Sequence, residues 1–397
     1  MATDEYQRLA YHLDQLPAGF PSTDSGVEYR LLKRLFTPEE AELALHLTQI
    51  PESPRVIAYR AKLPRSSVEK QLEQLARKGC IISVTAKGLL NDTMPVIPNW
   101  IKRPILVGDV TDDHMLYMAY QFVIGIWEFH LNDLDPDFIR DMNEYMPYLI
   151  DNWTQSPQLR TVPIGKSLSA ELRVMHYEKA EELIAEQDRL AVAECICRKE
   201  KRLMGEGCKK PLETCLVFGL GADYYIRNGI GRKIDKKEAL KILKKAENAG
   251  LVLQPSNARE ITNICCCCGC CCGVLRNLKT LPEPARHVPS AFVNTVDSET
   301  CDGCGACVKR CPMEALSLDG NRAVLDTTRC IGCGVCIPVC KTGSLKLSRK
   351  PESKQPDIPA DTLQSSFRLS RSRGKMGTVD LTRMILGSLV DRFMAPR

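Results

Sequence analysis

The sequence predicts an α+β chain made of several separately built parts, and three observations lead there. Apolar residues recur at helical spacing near the N-terminus and end in a β-rich run, Cys80-Ile-Ile-Ser-Val84. The middle of the chain alternates strand-like and helix-like segments. Beyond Asp297, apolar periodicity gives way to two regularly spaced cysteine runs. The 397 residues suffice for two or three domains with cores of their own. A make-up of 44% hydrophobic and 26% charged residues excludes wholesale disorder and collagen-like structure. Cysteine is the outlier, with 20 residues.

Residues 1–90 are expected to form a winged helix-turn-helix-like domain. Thr37-Pro38-Glu39-Glu40 has the chemistry of a helix start: a hydroxyl cap, proline at the first helical position and acids in the first turn. Leu43, Leu47 and Ile50 then give an apolar stripe. A second helix fits Pro54 to Lys62. A third fits Ser66 to Lys78, with Val68, Leu72 and Leu75 inward and Gly79 as its stop. The β-rich run that follows is read as a wing hairpin, and lone Cys80 as a core or wing residue.

Residues 91–280 are expected to be a central α/β part within the α+β whole. Gln158 to Pro163 reads as a strand, His176 to Gln187 as a charged amphipathic helix, and Arg189 to Ala193 as a strand leading to the first cysteines. Asp235 with Glu238 reads as a capping box for a helix running to Gly250. Gly219-Leu-Gly221 and Gly229-Ile-Gly231 lack the strand-GxGxxG-helix setting of a dinucleotide site and read as turns and caps. His130, His176 and His287 are scattered and read as ordinary residues.

The chemistry is densest from 281 to 349. Cys301-Asp-Gly-Cys304-Gly-Ala-Cys307-Val-Lys-Arg-Cys311-Pro312 spells C-x2-C-x2-C-x3-C-P, and Cys330, Cys333, Cys336 and Cys340 repeat it. Two such runs make a two-cluster ferredoxin unit of about eight irons, in which each fourth cysteine serves the other cluster. One cluster is therefore assigned Cys301, Cys304, Cys307 and Cys340, and the other Cys330, Cys333, Cys336 and Cys311. Gly303, Gly305, Gly332 and Gly334 allow the positive φ that turns three thiolates toward one cube. Zinc ribbons, the alternative, use C-x2-C pairs instead of runs of four. Lys341 stands where the second run would carry proline.

Eleven more cysteines lie upstream. Cys195, Cys197, Cys208 and Cys215 could together close one further four-iron cluster. Cys265-Cys-Cys-Cys-Gly-Cys-Cys-Cys272 cannot aim all its thiols one way, because successive side chains of an extended chain point to opposite sides. Two sites sharing the run, spectator thiols, or one unusual cluster all remain open. The expected ligands there are Cys265, Cys267, Cys268, Cys270, Cys271 and Cys272, with one or two further [4Fe-4S] clusters. Arg198 is read either as a donor to a cluster sulfur or as a surface ion pair.

The formal charge of +5 is concentrated: from Lys341 onward there are 12 Lys and Arg against 5 Asp and Glu. This tail, residues 350–397, is expected to be mobile to Gly377 and then to form a helix with Leu381, Ile385, Leu389 and Phe393 on one stripe, docked on its own chain or on a partner. The N-terminus shows no basic region followed by an apolar one, and no stretch reaches the ~18 apolar residues of a membrane span. The chain is expected to be cytoplasmic, where close cysteines bind metal instead of pairing.

The winged-helix start, Cys195-x-Cys197-Arg198 with Cys208 and Cys215, the run from Asn263 to Gly273 and the C-terminal cysteine pair together resemble a family of ferredoxin-type iron–sulfur proteins from anaerobic bacteria. The resemblance spans roughly residues 26 to 348. Members often carry a polar residue at the position of Cys266, which favours Cys265, Cys267 and Cys268 as ligands. The resemblance implies four-iron-cluster binding; the number of clusters leads to the expectation of multi-cluster electron transfer between a low-potential donor protein and a partner oxidoreductase, without independent catalytic activity. A larger complex could form through the C-terminal helix. One alternative is a redox-sensing transcription regulator, for which the third helix offers Arg65, Lys70, Arg77 and Lys78, although Glu69 and Glu73 would repel phosphates. The other is an enzyme with an unusual central cluster, yet no His, Asp or Glu at acid–base spacing flanks the run.

Overall fold

In the computed structural model, which describes residues 4–92, 99–108, 110–155, 157–375 and 377–396, the chain forms two units. One comprises Met1–Asn152, Gly219–Ile230 and Ser366–Arg397, the other Trp153–Phe218 and Gly231–Ser365.

The first unit begins with five helices: α1 (Glu5–Asp14), α2 (Val27–Leu35), α3 (Pro38–Ala44), α4 (Pro54–Ala61) and α5 (Arg65–Lys78). The Thr37 side chain accepts from the Glu40 amide and the Glu40 carboxylate from the Thr37 amide, so α3 starts where its cap is strongest. It stops at Ala44, before Leu47 and Ile50, so the expected apolar stripe is only partly helical. Val68, Leu72 and Leu75 are the buried face of α5, and Gly79 ends the helix at φ 88°.

Strand β1 (Ile82–Thr85) runs directly into α6 (Ala86–Asp92), because the Thr85 hydroxyl accepts from the Gly88 amide and opens a helix in place of a turn. The hairpin expected there does not form. The antiparallel partner of β1 is the later strand β2 (Met115–Met118), with Ile82 opposite Met118. Cys80 is buried and its thiol donates to the Leu35 carbonyl at 3.2 Å. Burial holds that thiol far above its ordinary pKa, so Cys80 is inert core. The helix Gly219–Arg227 also belongs to this unit: its Tyr224 hydroxyl donates to the Ala76 carbonyl at 2.7 Å and contacts that of Ile81 at 3.0 Å, tying α5 to β1.

The tail is more ordered than its composition suggests. A helix occupies Thr362–Ser372, and Arg373, 6% exposed at its side chain, reaches the Asp14 carboxylate at 2.5 Å and the Leu16 carbonyl at 2.9 Å; residue 376 lies outside the described set. The final helix, Thr378–Met394, docks on α4, but through polar residues. Glu52, 1% exposed, receives both Arg60 guanidinium nitrogens at 2.7 and 2.8 Å and the Ser388 hydroxyl at 2.6 Å, while Arg60 also holds Asp391. Of the apolar stripe expected to dock, Leu381 and Leu389 are half-buried while Ile385 and Phe393 are exposed, as are Leu386 and Val390 beside them.

The second unit is built on a five-stranded sheet of β3 (Leu190–Glu194), β4 (Glu213–Phe218), β5 (Arg232–Ile234), β6 (Val252–Pro255) and β7 (Asn263–Cys267), in the order β5-β3-β4-β7-β6. Every pairing is antiparallel, which makes this part α+β where an α/β arrangement was expected. Leu190, Val192, Leu216, Phe218, Leu253 and Ile264 supply its core. Asp235 caps the helix Lys236–Asn248. The expected strand at 158–163 is reduced to isolated bridges, Leu159 to Ser256 and Val162 to Leu253. The same unit carries β8 (Phe292–Val296), β9 (Leu316–Asp319), β10 (Arg322–Leu325) and β11 (Leu345–Arg349), paired β8 with β11 and β9 with β10. Among the described residues no helix is long and apolar enough to cross a membrane.

Glu52 is a buried charge held by partners from three segments. Glu52→Gln should lower the stability of the first unit by about 3 kcal/mol, the cost of leaving a buried partner uncompensated, and expose the final helix to proteolysis. Urea unfolding by circular dichroism and limited trypsin digestion measure the two effects.

Candidate metal centre

Four groups of thiols assemble in the second unit. The first lines a small cavity: Cys301, Cys304, Cys307 and Cys340, with Leu318, Ala323 and Leu345. A second cavity is lined by Cys311, Cys330, Cys333 and Cys336, with Asn294, Met313 and Leu325. Each cavity is thus lined by three cysteines of one run and the fourth of the other. The helix Ala306–Arg310 sets Cys307 facing one cavity and ends so that Cys311 turns to the other.

The lining suits a sulfur-ligated iron cube. All four expected glycines have positive φ, and a side chain on Gly332 would run into the Phe292 carbonyl. Backbone amides of Ala323 and Ala315 donate to the sulfurs of Cys301 and Cys311 at 3.3 Å. The Asn294 amide nitrogen donates to Cys336 at 2.9 Å, leaving its own oxygen buried and unpartnered. Burial raises the thiols of Cys330, Cys333 and Cys336, and a bound cation is what converts such thiols to thiolates. The cavities differ in access: Cys304 is exposed, whereas Cys330, Cys333 and Cys336 are buried.

The central cysteines separate into two groups. Cys208, Cys268, Cys270 and Cys271 place their sulfurs within 4.8 Å of one another. Cys208 thus leaves the set proposed for it with Cys195, Cys197 and Cys215. Those three neighbour the other end of the run in an arc: Cys195 lies beside Cys197, Cys197 beside Cys272, Cys272 beside Cys267, Cys267 beside Cys265 and Cys265 beside Cys215. Strand register produces the arc, since Cys265 lies opposite Cys215 in the β4–β7 pair and Cys267 falls two residues on, on the same face. Cys266, between them, faces the other way and is buried outside both groups. Backbone amides of Val274 and Leu275 hold Cys272 low after its bonds from Cys197 and Cys267.

Arg198 is wholly buried, which excludes the surface ion pair. It stands between the groups, donating to the Cys266 carbonyl at 2.9 Å and to Thr214, with Cys268 sulfur at 3.9 Å. Burial opposes its charge, but Cys195, Cys268 and Cys267 outweigh burial and keep it protonated. Sequence reasoning missed three residues. Asn294 and Asn263 approach Cys336 and Cys265. Glu200, one helical turn beyond Cys197, is 3% exposed, and burial pushes its carboxyl up to about 7. The spacing Cys197-x-x-Glu200 was the available signal. Gly269 marks where the run meets the C-terminal cysteines: a side chain there would lie on the Pro312 carbonyl, beside Cys311.

Residues 300–352 match the family model of the 4Fe-4S dicluster domain. With the cysteine-rich run 265–272, that match marks an iron–sulfur protein. No curated protein and no solved structure matches the chain.

The Asn294 contact makes a prediction. An N–H donor to a cluster sulfur favours the more negative, reduced state. Asn294→Leu should lower the midpoint potential of one of two clusters by about 50 mV, the equivalent of about 1 kcal/mol in a one-electron couple, and leave the other unchanged. Redox titration followed by electron paramagnetic resonance resolves them.

Proposed function

We propose that the chain is a multi-cluster electron-transfer protein, passing single electrons between a low-potential donor and a partner oxidoreductase. A four-iron cluster takes up and returns one electron when bound. Cys301, Cys304, Cys307 and Cys340 would hold one, and Cys311, Cys330, Cys333 and Cys336 the second. The six-thiol arc, with more sulfurs than the four a cube requires, would hold a third.

The observation that carries the reading is the placement of these groups in one unit. Cys307 and Cys336 pack in one apolar cluster with Leu316 and Leu345, so the two cavities adjoin. Through Gly269 on Pro312 the second cavity adjoins the central cysteines. Exposed Cys304 marks the end at which a partner protein would approach. The residues around the groups bind, orient and exclude water: Arg198 holds positive charge between the central thiols, and Leu316, Leu325 and Met313 keep the second cavity dry.

The regulator reading gains no support from α5, where Arg77 is paired with Glu73 at 2.6 Å and Lys78 with Glu40 at 2.7 Å. Both pairings place carboxylates where phosphates would have to approach.

Anaerobically purified protein should contain about twelve cluster irons and give reduced-state paramagnetic signals that broaden one another, reversibly discharged by a one-electron acceptor. Irons that assemble but neither reduce nor discharge would overturn the reading. A salt-sensitive mobility shift with DNA would transfer it to the regulator class.

A further inference from the structure

We propose that Cys208, Cys268, Cys270 and Cys271 form a mononuclear metal site, taking one divalent ion, zinc or ferrous iron, in a tetrahedron of four thiolates. The argument is one of size. Thiolates at about 2.3 Å from a central ion stand roughly 3.8 Å from one another. Those on the outer corners of an iron–sulfur cube stand on the order of 6 Å apart, since each lies beyond its own iron. All four sulfurs here lie within 4.8 Å of one another, with Cys208 to Cys268 at 3.9 Å and Cys270 to Cys271 at 3.8 Å.

The rest of the unit supplies the contrast. Among the described residues, the quartet is the one set of three or more thiol, imidazole or carboxylate ligands gathered so closely. The eight C-terminal cysteines instead line two cavities without any three of their sulfurs gathering within 4.8 Å. In the six-thiol arc only successive thiols meet, and no three of them gather within 4.8 Å of one another. Four soft ligands in a tetrahedron select zinc or iron over magnesium, calcium or manganese.

Charge and connection agree. Four thiolates and one divalent ion leave two negative charges, and Arg198 lies at Cys268 while Arg202 bonds the carbonyls of Cys208 and Lys210. The ion would tie the loop bearing Cys208 to the turn Cys268–Cys271. That turn carries Gly269 onto Pro312, so the tie would set the seam between the central cysteines and the second C-terminal cavity. A zinc ion accepts no electron, so the site stands apart from the electron-transfer reading.

The test uses the full-length protein purified anaerobically. Elemental analysis should find about one metal equivalent beyond those accompanied by acid-labile sulfide. If it is zinc, X-ray absorption at the zinc edge should give an all-sulfur shell at about 2.3 Å with no neighbouring metal. If it is iron, the oxidised protein should show a high-spin mononuclear ferric signal. Cys208→Ser should release that one equivalent while every cluster signal keeps its intensity. Because the variant may unfold, the wild-type absorption spectrum stands as an independent measurement. Loss of four irons and a cubane signal from Cys208→Ser, or absence of the extra equivalent from the wild type, would overturn the proposal; failure of the clusters to reduce would leave it standing.

Discussion

The register of β7 against β4 decides where the thiols of Cys265, Cys266 and Cys267 go. Cys265 lies opposite Cys215 and Cys267 continues the same face, so the period of two sorts a nearly unbroken cysteine run into an inner set and an outer one. A slip of one residue would send Cys266 into the arc and Cys265 and Cys267 out of it. What fixes the register is apolar: Ile264 is buried and pairs with Leu216, and Leu253 lies across from Cys266. The metal chemistry rests on a strand placed by its non-cysteine neighbours.

Once the register is set, electrostatics limits what can sit there. Gathering ten thiols within one sheet edge and two loops is tolerable only as neutral groups or with cations among them. The protein supplies one such cation, Arg198, from the helix that Cys195 caps; in the proposed reading bound metal supplies the rest. Arg198 therefore does more than orient a neighbour: buried between two groups of thiols, it makes Cys268 easier to ionise, and its own charge is sustained by thiols of both groups.

The C-terminal half of this arrangement was legible because its spacing carries geometry. Runs with two residues between ligands and glycines beside them dictate both the turn and the exchange of the fourth cysteine, and the cavities follow that assignment. Local capping was legible too, at Thr37 and Asp235, since it depends on residues three apart. What depended on distant pairing was not. Nothing near Val84 announces that its partner strand is β2, and composition at 350–377 hides an arginine that finds the Asp14 carboxylate. The neighbourhood of Cys208 was out of reach for the same reason: Cys268, whose sulfur it meets, lies 60 residues away in the sequence, while Cys195 and Cys197 are nearer in sequence only. Arg198 and Glu200 were misjudged or missed because burial, which gives both their character, is a property of the fold.

Access orders the groups into a sequence with direction. Cys304 meets solvent, while the sulfurs of the second cavity are buried and held by fixed donors, Asn294 and the amide of Ala315. A charge arriving on the outer group is stabilised by water, which reorganises around it; one arriving on the inner group is stabilised by dipoles already in place, so the inner site loses less on each cycle. Beyond it the glycine at 269 admits a close backbone approach to Pro312, and a β-carbon there would force the central cysteines away from Cys311. A small residue at 269 is thus a constraint on the distance between two groups of thiols as much as on chain conformation, and in the proposed reading distance is the quantity on which passage of an electron between them depends.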